Sequence, residues 1–201
     1  MKTTKSKTVI RREDRNKEYI DALQDKHSKL NVIRVDLYYD KNHKTNISLD
    51  EATDDFNRMM NNRRSKPSIF KDQVGYIVKK EYTPKRGVHF HAAFFYDGQK
   101  VSKDVYKAKQ ICEYWKKEIT KNKGTANNCN LKAQKGEYGE DNAMGILKYK
   151  DKEQREKVDN AINYMCKDEQ SIKQIDGSKK HRAIIRGTMP KSKGNIGRPR
   201  S

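Results

Sequence analysis

The sequence predicts an α+β fold, a central antiparallel β-sheet of about five strands with flanking helices. Three observations predict it. Residues 73–82 and 88–96 are two β-rich runs joined by Thr83-Pro84-Lys85-Arg86-Gly87, the signature of a β-hairpin. Residues 31–39 form a third such run, with Val32, Ile33, Val35, Leu37 and Tyr38 ahead of Asp40-Lys41-Asn42. Stretches of helical periodicity lie between and after these runs and supply apolar faces to cover a sheet.

Taken in order, residues 1–12 carry Lys2, Lys5, Lys7, Arg11 and Arg12 and little to bury, and read as a disordered basic arm. Residues 12–29 are helical in pattern, with Tyr19, Ile20 and Leu23 as a narrow apolar stripe. Ser48-Leu49-Asp50-Glu51 has capping-box spacing and opens a helix reaching about Asn61, which Arg63-Arg64-Ser65-Lys66-Pro67 ends. Beyond the hairpin, Asp97-Gly98 closes the second strand. Residues 101–119 are helical, with Val105, Ala108, Ile111, Cys112, Trp115 and Ile119 on one face.

Residues 120–142, rich in Asn, Gly and Lys, read as loop with at most a short strand near 130–133. Residues 144–149 are a further strand. Residues 152–169 form the last helix, where Val158, Ala161, Ile162 and Met165 fall at i, i+3, i+4 and i+7. Residues 181–186 suggest an edge strand. From Met189 on, Pro, Gly, Lys and Arg dominate, which gives a folded domain over 13–188 and a disordered basic tail over 189–201.

Composition narrows the partners. Forty-six Lys and Arg against twenty-seven Asp and Glu leave a net charge of +19, and mean hydropathy is −1.19. Such a field calls for an anionic partner, nucleic acid or an acidic membrane surface. No run of 18 apolar residues and no leader pattern is present, so nothing is expected to span a membrane or direct secretion, and nucleic acid is favoured. Cys112, Cys129 and Cys166 are odd in number, widely spaced and in no C-x-x-C pair, which excludes a disulfide framework or a zinc ribbon and fits a reducing cytoplasm.

The chemistry-bearing residues fall into two sets. On a strand, His89 and His91 point to one face while Phe90 points to the other. With the turn centred near Lys85, paired positions sum to about 170, so Glu81 stands opposite His89 on the histidine face. Two imidazoles and a carboxylate make a mixed N/O site with open coordination positions. Phe90, Ala92, Phe94 and Tyr96 alternate as the opposite, buried face. On the last helix, Tyr164 and Lys167 are three apart; relative to Val158 they lie about 120° and about 180° round, off the core stripe. A tyrosine in that position near a metal can attack a phosphodiester, and the ammonium can stabilise charge on phosphate or phenolate. The sequence offers no general base, leaving the metal, Lys167 and solvent as candidates.

In this order, strand, Glu, His-Phe-His and then helix with Tyr-x-x-Lys, the chain resembles the HUH endonucleases of rolling-circle replication. More narrowly, Arg34-Val35-Asp36-Leu37, His89-Phe90-His91-Ala92-Ala93 and Ala161-Ile162-Asn163-Tyr164-Met165-Cys166-Lys167 look like the inovirus (filamentous phage) replication-protein family and its prophage copies. The resemblance covers roughly residues 20 to 190. It implies an HUH-like five-stranded sheet and a Mg²⁺ or Mn²⁺ cofactor held by His89 and His91, with Glu81 as third ligand. Tyr164 would be the nicking residue that forms a 5′-phosphotyrosine, with Lys167 beside it, and residues 31–37 the structural strand beside the site. The implied partners are single-stranded origin DNA and the replication machinery of a bacterial host, in the cytoplasm, with no small-molecule substrate. Only one tyrosine stands in the third motif, so termination would draw on a second subunit, water or another tyrosine such as Tyr149.

Other features agree. No G-x-x-x-x-G-K-[ST] is present, so a host helicase is needed. Expected DNA contacts are Arg63, Arg64, Lys85, Arg86, Arg198 and Arg200; Gly197-Arg198-Pro199-Arg200 is similar to an AT-hook core, with Ile196 where that motif has Arg, and simple phosphate binding is its expected use. The rival readings are a catalytically inactive, prophage-derived DNA-binding or regulatory protein, and an HUH transposase or relaxase. The joint presence of Glu81, both histidines, Tyr164 and Lys167 argues against the first. The short chain without accessory domains argues against the second. An RNA-binding or ribosomal protein would explain the charge but not the ordered motifs.

Overall fold

A hydroxyl sets the first helix. In the computed structural model, which describes residues 5–167, 171–175 and 178–191, Ser6 accepts from the Val9 amide and opens α1 (Lys7–Lys26). Val9 is buried and Lys5 pairs with Glu13. The expected disordered arm is therefore corrected: residues 7–12 are helical because the cap lies at Ser6, and residues 1–4 lie outside the described residues.

The remaining elements are β1 (Lys29–Tyr39), α2 (Leu49–Asn61), α3 (Pro67–Phe70), β2 (Gln73–Thr83), β3 (Gly87–Asp97), α4 (Asp104–Tyr114), β4 (Gly124–Asn128), α5 (Cys129–Gln134), β5 (Gly145–Lys148), α6 (Lys152–Tyr164) and β6 (Ile184–Arg186). The α+β expectation holds. The sheet has six antiparallel strands, in the order β4-β1-β3-β2-β6, with β5 also paired to β1. Ser48 caps α2 by accepting from Glu51 N, as its spacing predicts. The helix expected over 101–119 starts at Asp104 and ends in a π-turn over Trp115–Ile119. There the Thr120 hydroxyl donates to the Trp115 and Lys116 carbonyls and accepts from Gly124 N.

Helices cover both sheet faces. On one, Phe90, Ala92, Phe94 and Tyr96 join Val35, Leu37, Phe56 and Trp115 in a core under α2, α3 and α4. On the other, Ala93 and Phe95 join Leu30, Val32, Tyr19, Ile20, Val158 and Ile162 under α1 and α6. The histidine face of β3 is thus also the face on which α6 packs.

The short strand expected near 130–133 is instead α5, preceded by β4. The reason lies in Asn130. β4 pairs β1 at residues 35–39 and β5 pairs it at 29–32, leaving a gap on that edge. The Asn130 carboxamide fills it, accepting from Arg34 N at 2.8 Å and donating to the Val32 carbonyl at 3.1 Å. One side chain replaces two residues of ladder, so the backbone there is free to turn helical. The last helix stops at Tyr164 rather than 169, and the 168–169 part of that expectation lies outside the described residues. So does most of the expected basic tail, from residue 192 on. Among the described residues no helix is long and apolar enough to cross a membrane.

Candidate metal centre

The hairpin register brings the centre together. Thr83 pairs with Gly87, Glu81 with His89 and Lys79 with His91. Gly87, at φ +67°, completes the turn in the left-handed region, and a Cβ there would lie 2.3 Å from the Lys44 carbonyl oxygen, so only glycine fits. Its own carbonyl faces His89 Nδ1 at 3.0 Å. A carbonyl only accepts, so Nδ1 carries the proton and Nε2 presents a lone pair.

β1 completes the row. Asp36 stands directly opposite His91, and its Oδ1 is 2.6 Å from His91 Nδ1. This fixes the second ring as the first is fixed, with Nε2 turned inward. Both Nε2 atoms then face one oxygen, Glu81 Oε2, at 3.3 Å for His89 and 3.2 Å for His91. Glu81, His89 and His91 thus offer three ligand atoms within 4.8 Å of one another, and this group can hold a metal ion. The fit has a further sign: His89 Nε2 is fully buried yet lacks a hydrogen-bond partner among the described residues, as expected of a nitrogen whose partner is a cation.

The surroundings tune the ligands. Burial opposes charge on Glu81, but the hydrogen bonds it accepts from His91 and Lys79 hold its carboxyl well below the usual carboxylate range. Burial likewise opposes a charged His91, yet its bonds to Asp36 and Glu81 prevail and push it up to about 9. Tyr38 stacks on His89 with ring centroids 5.5 Å apart, and the Arg86 guanidinium lies 6.0 Å over Tyr38. Expected as a face opposite the main core, the histidine face is itself largely enclosed: His89 is fully buried and His91 is partly exposed, its side chain at 16%.

No protein-family model, curated protein or solved structure matches the chain.

Of the second set of residues, the Lys167 backbone is tied to the centre through Lys79. This buried lysine pairs with Glu81 Oε1 and donates to the Lys167 carbonyl at 2.7 Å, just past the end of α6. Tyr164, the last residue of α6, is 62% exposed, while Val158, Ile162 and Met165 are buried, so the tyrosine is off the core as its spacing predicts. The Lys167 ammonium sits 4.4 Å from the Tyr164 ring centroid. Arg12 adds a second tie by donating to the Cys166 carbonyl.

Other expected residues divide. Lys85 and Arg86 occupy the hairpin turn at the centre's end of the sheet. Arg63 and Arg64 are not brought there: Arg63 donates to the Met60 carbonyl and lies over Tyr76, and its neighbour Gln73 is eight residues along β2 from Glu81, roughly 26 Å. Tyr149 follows β5, its amide on the Ser28 carbonyl, at the end of β1 away from Asp36. Arg198 and Arg200 lie outside the described residues. The cysteines are free, with Cys129 and Cys166 buried and Cys112 half-buried. Sequence reasoning missed Lys79, Asp36 and Tyr38. The hairpin sum that placed Glu81 against His89 also places Lys79 against His91, so that signal was present; Asp36 depends on a pairing 55 residues away.

Proposed function

We propose that the chain is a metal-dependent enzyme of the HUH type that nicks one strand of single-stranded DNA through Tyr164, as a rolling-circle replication initiator. The observation that carries the reading is the convergence of His89 Nε2, His91 Nε2 and Glu81 Oε2 on one point, with α6 tied to that cluster through Lys79. Two imidazole nitrogens and one carboxylate oxygen are a mixed N/O set that can hold a divalent cation and leave positions for phosphate oxygens; the choice of Mn²⁺ or Mg²⁺ rests on the family resemblance. A divalent cation bound there supplies Lewis acidity to the scissile phosphate.

This chain's own groups do the rest. Asp36 and the Gly87 carbonyl orient the two imidazoles. The exposed Tyr164 hydroxyl attacks phosphorus; a Tyr–O–P bond forms, the bond to the 3′ oxygen breaks, and the phenol's proton is balanced by the proton gained by the 3′-hydroxyl. Lys167, over the ring, stabilises negative charge on the phenolate or phosphate oxygens. The 5′-phosphotyrosine keeps the bond energy, so a later 3′-hydroxyl can reverse the step and rejoin the strand. The net charge of +19 suits a polyanionic strand.

The test is a labelled pool of single-stranded oligonucleotides with Mn²⁺, resolved on a denaturing gel. A covalent adduct is expected from the wild type and none from Tyr164→Phe. His91→Ala is expected to lose metal-dependent cleavage while keeping salt-sensitive DNA binding. Equal adduct from Tyr164→Phe removes the nucleophile, and parallel loss of cleavage and binding in His91→Ala makes the histidines structural.

A further inference from the structure

A groove of about 1240 Å³ lies between α1 and residues of 172–175 and 178–187, beside β6, and its lining includes no residue of the metal cluster. Its charge is one-sided. Arg11 and Arg15 line it from α1, and Lys173, Lys179 and Arg182 from the facing segment, with no acidic side chain among the lining residues. These five are exposed, and none forms an ion pair among the described residues. Arg12 and Arg186 also line it but are held as parts of its wall, on the Cys166 carbonyl and on the Arg12 carbonyl. A cluster of cations this close repels itself unless an anion occupies the space between them.

Position gives the groove its meaning. β6 pairs β2 so that Ile184 stands opposite Lys79, the lysine on Glu81. At the near end Ser171 bridges to Glu81 itself. Arg12 reaches from the groove wall to the carbonyl of Cys166, two residues past Tyr164. The groove therefore follows the β2–β6 edge and adjoins the end of α6.

We propose that this groove binds the sugar–phosphate backbone of the single-stranded DNA substrate and leads the strand to Tyr164, with Arg11, Arg15 and Arg182 as its principal phosphate contacts. The choice of a DNA strand rests on the proposed nicking function; the choice of a polyanion rests on the groove's own charges. None of the three arginines belongs to the metal cluster, so they act in binding and path, not in chemistry.

The experiment measures binding of a fluorescent oligothymidylate to the Tyr164→Phe protein without divalent metal, so cleavage plays no part. The triple variant R11A/R15A/R182A is compared with K103A/K109A/K116A, which removes the same charge from exposed positions just before α4, on α4 and in the π-turn after it. The groove variant is expected to bind roughly tenfold to a hundredfold more weakly at 0.1 M salt, with a salt slope shallower by about 2. The control should change far less. Equal affinity and slope in the two triple variants overturns the proposal. If the wild type forms no adduct while the groove variant alone loses binding, nicking fails and the groove stands; if adduct forms normally and the two variants match, the groove fails and nicking stands.

Discussion

Lys79 Nζ donates to the Lys167 carbonyl at 2.7 Å while pairing with Glu81, so one buried ammonium joins a candidate metal ligand to the chain end of the helix that carries Tyr164. If Tyr164 is the nucleophile proposed above, this link sets where it sits relative to the candidate metal ligands without itself touching substrate. Lys79→Met is expected to cut adduct formation at least tenfold, with a smaller loss of Mn²⁺ affinity, because both ring nitrogens and Glu81 remain. Loss of a charged hydrogen bond in the interior should also cost roughly 1.5–3 kcal/mol of stability in urea denaturation. Lys79→Arg should recover part of the activity. Wild-type cleavage by Lys79→Met would show that the link does not position Tyr164.

Gly87 couples the hairpin turn to His89. Its φ of +67° and the Lys44 carbonyl 2.3 Å from a hypothetical Cβ leave no room for a side chain, and its own carbonyl orients the His89 ring. Gly87→Ala is expected to destabilise the protein by about 1 kcal/mol or more and to weaken Mn²⁺ binding, seen by calorimetric titration. Unchanged metal affinity would mean that the turn does not set the ring.

Asn130 closes the gap between β4 and β5 on the edge of β1. Asn130→Ala leaves Arg34 N and the Val32 carbonyl without their partners in a buried setting, a cost of roughly 1–3 kcal/mol for each group left unpaired. Hydrogen exchange should speed at Arg34 before the rest of β1. Uniform exchange along β1 in the variant would contradict this role.

Alkaline conditions should weaken the fold. Burial pushes the Cys112 thiol up to about 12 and those of Cys129 and Cys166 up to about 11, and raises the Tyr39 and Tyr96 phenols as well. Groups raised in the folded state keep protons that the unfolded chain releases, so their stabilising effect is complete below about pH 9 and is lost as pH climbs towards 12. The urea midpoint is expected to fall steadily over that window, and thiol alkylation of the folded protein to be slow at pH 8. A midpoint constant from pH 8 to 11 would contradict the burial of these groups.

Local patterns carried much of this in the sequence. The hairpin, the Ser48 cap and the alternation at Phe90, Ala92, Phe94 and Tyr96 depend on neighbours within a few residues, and the turn centre alone put Glu81 against His89. The off-core position of Tyr164 followed from 3.6-residue periodicity. What was hidden depends on distant pairing: Asp36 against His91, Asn130 standing in for a strand, and the Lys79 link to Lys167. The start of α1 was hidden for another reason, since a single serine cap and one buried valine outweigh the basic and polar character of Lys7, Thr8, Arg11 and Arg12.

The proposed nicking function requires Tyr164 to form the covalent bond to DNA. Trypsin digestion of an Mn²⁺-formed adduct, after nuclease trimming, followed by mass spectrometry of the peptides, tests it most directly. Nucleotide mass is expected on the peptide spanning residues 158–167, fragmenting to Tyr164. Nucleotide mass on a different tyrosine, Tyr149 among them, with the 158–167 peptide unmodified, would contradict it.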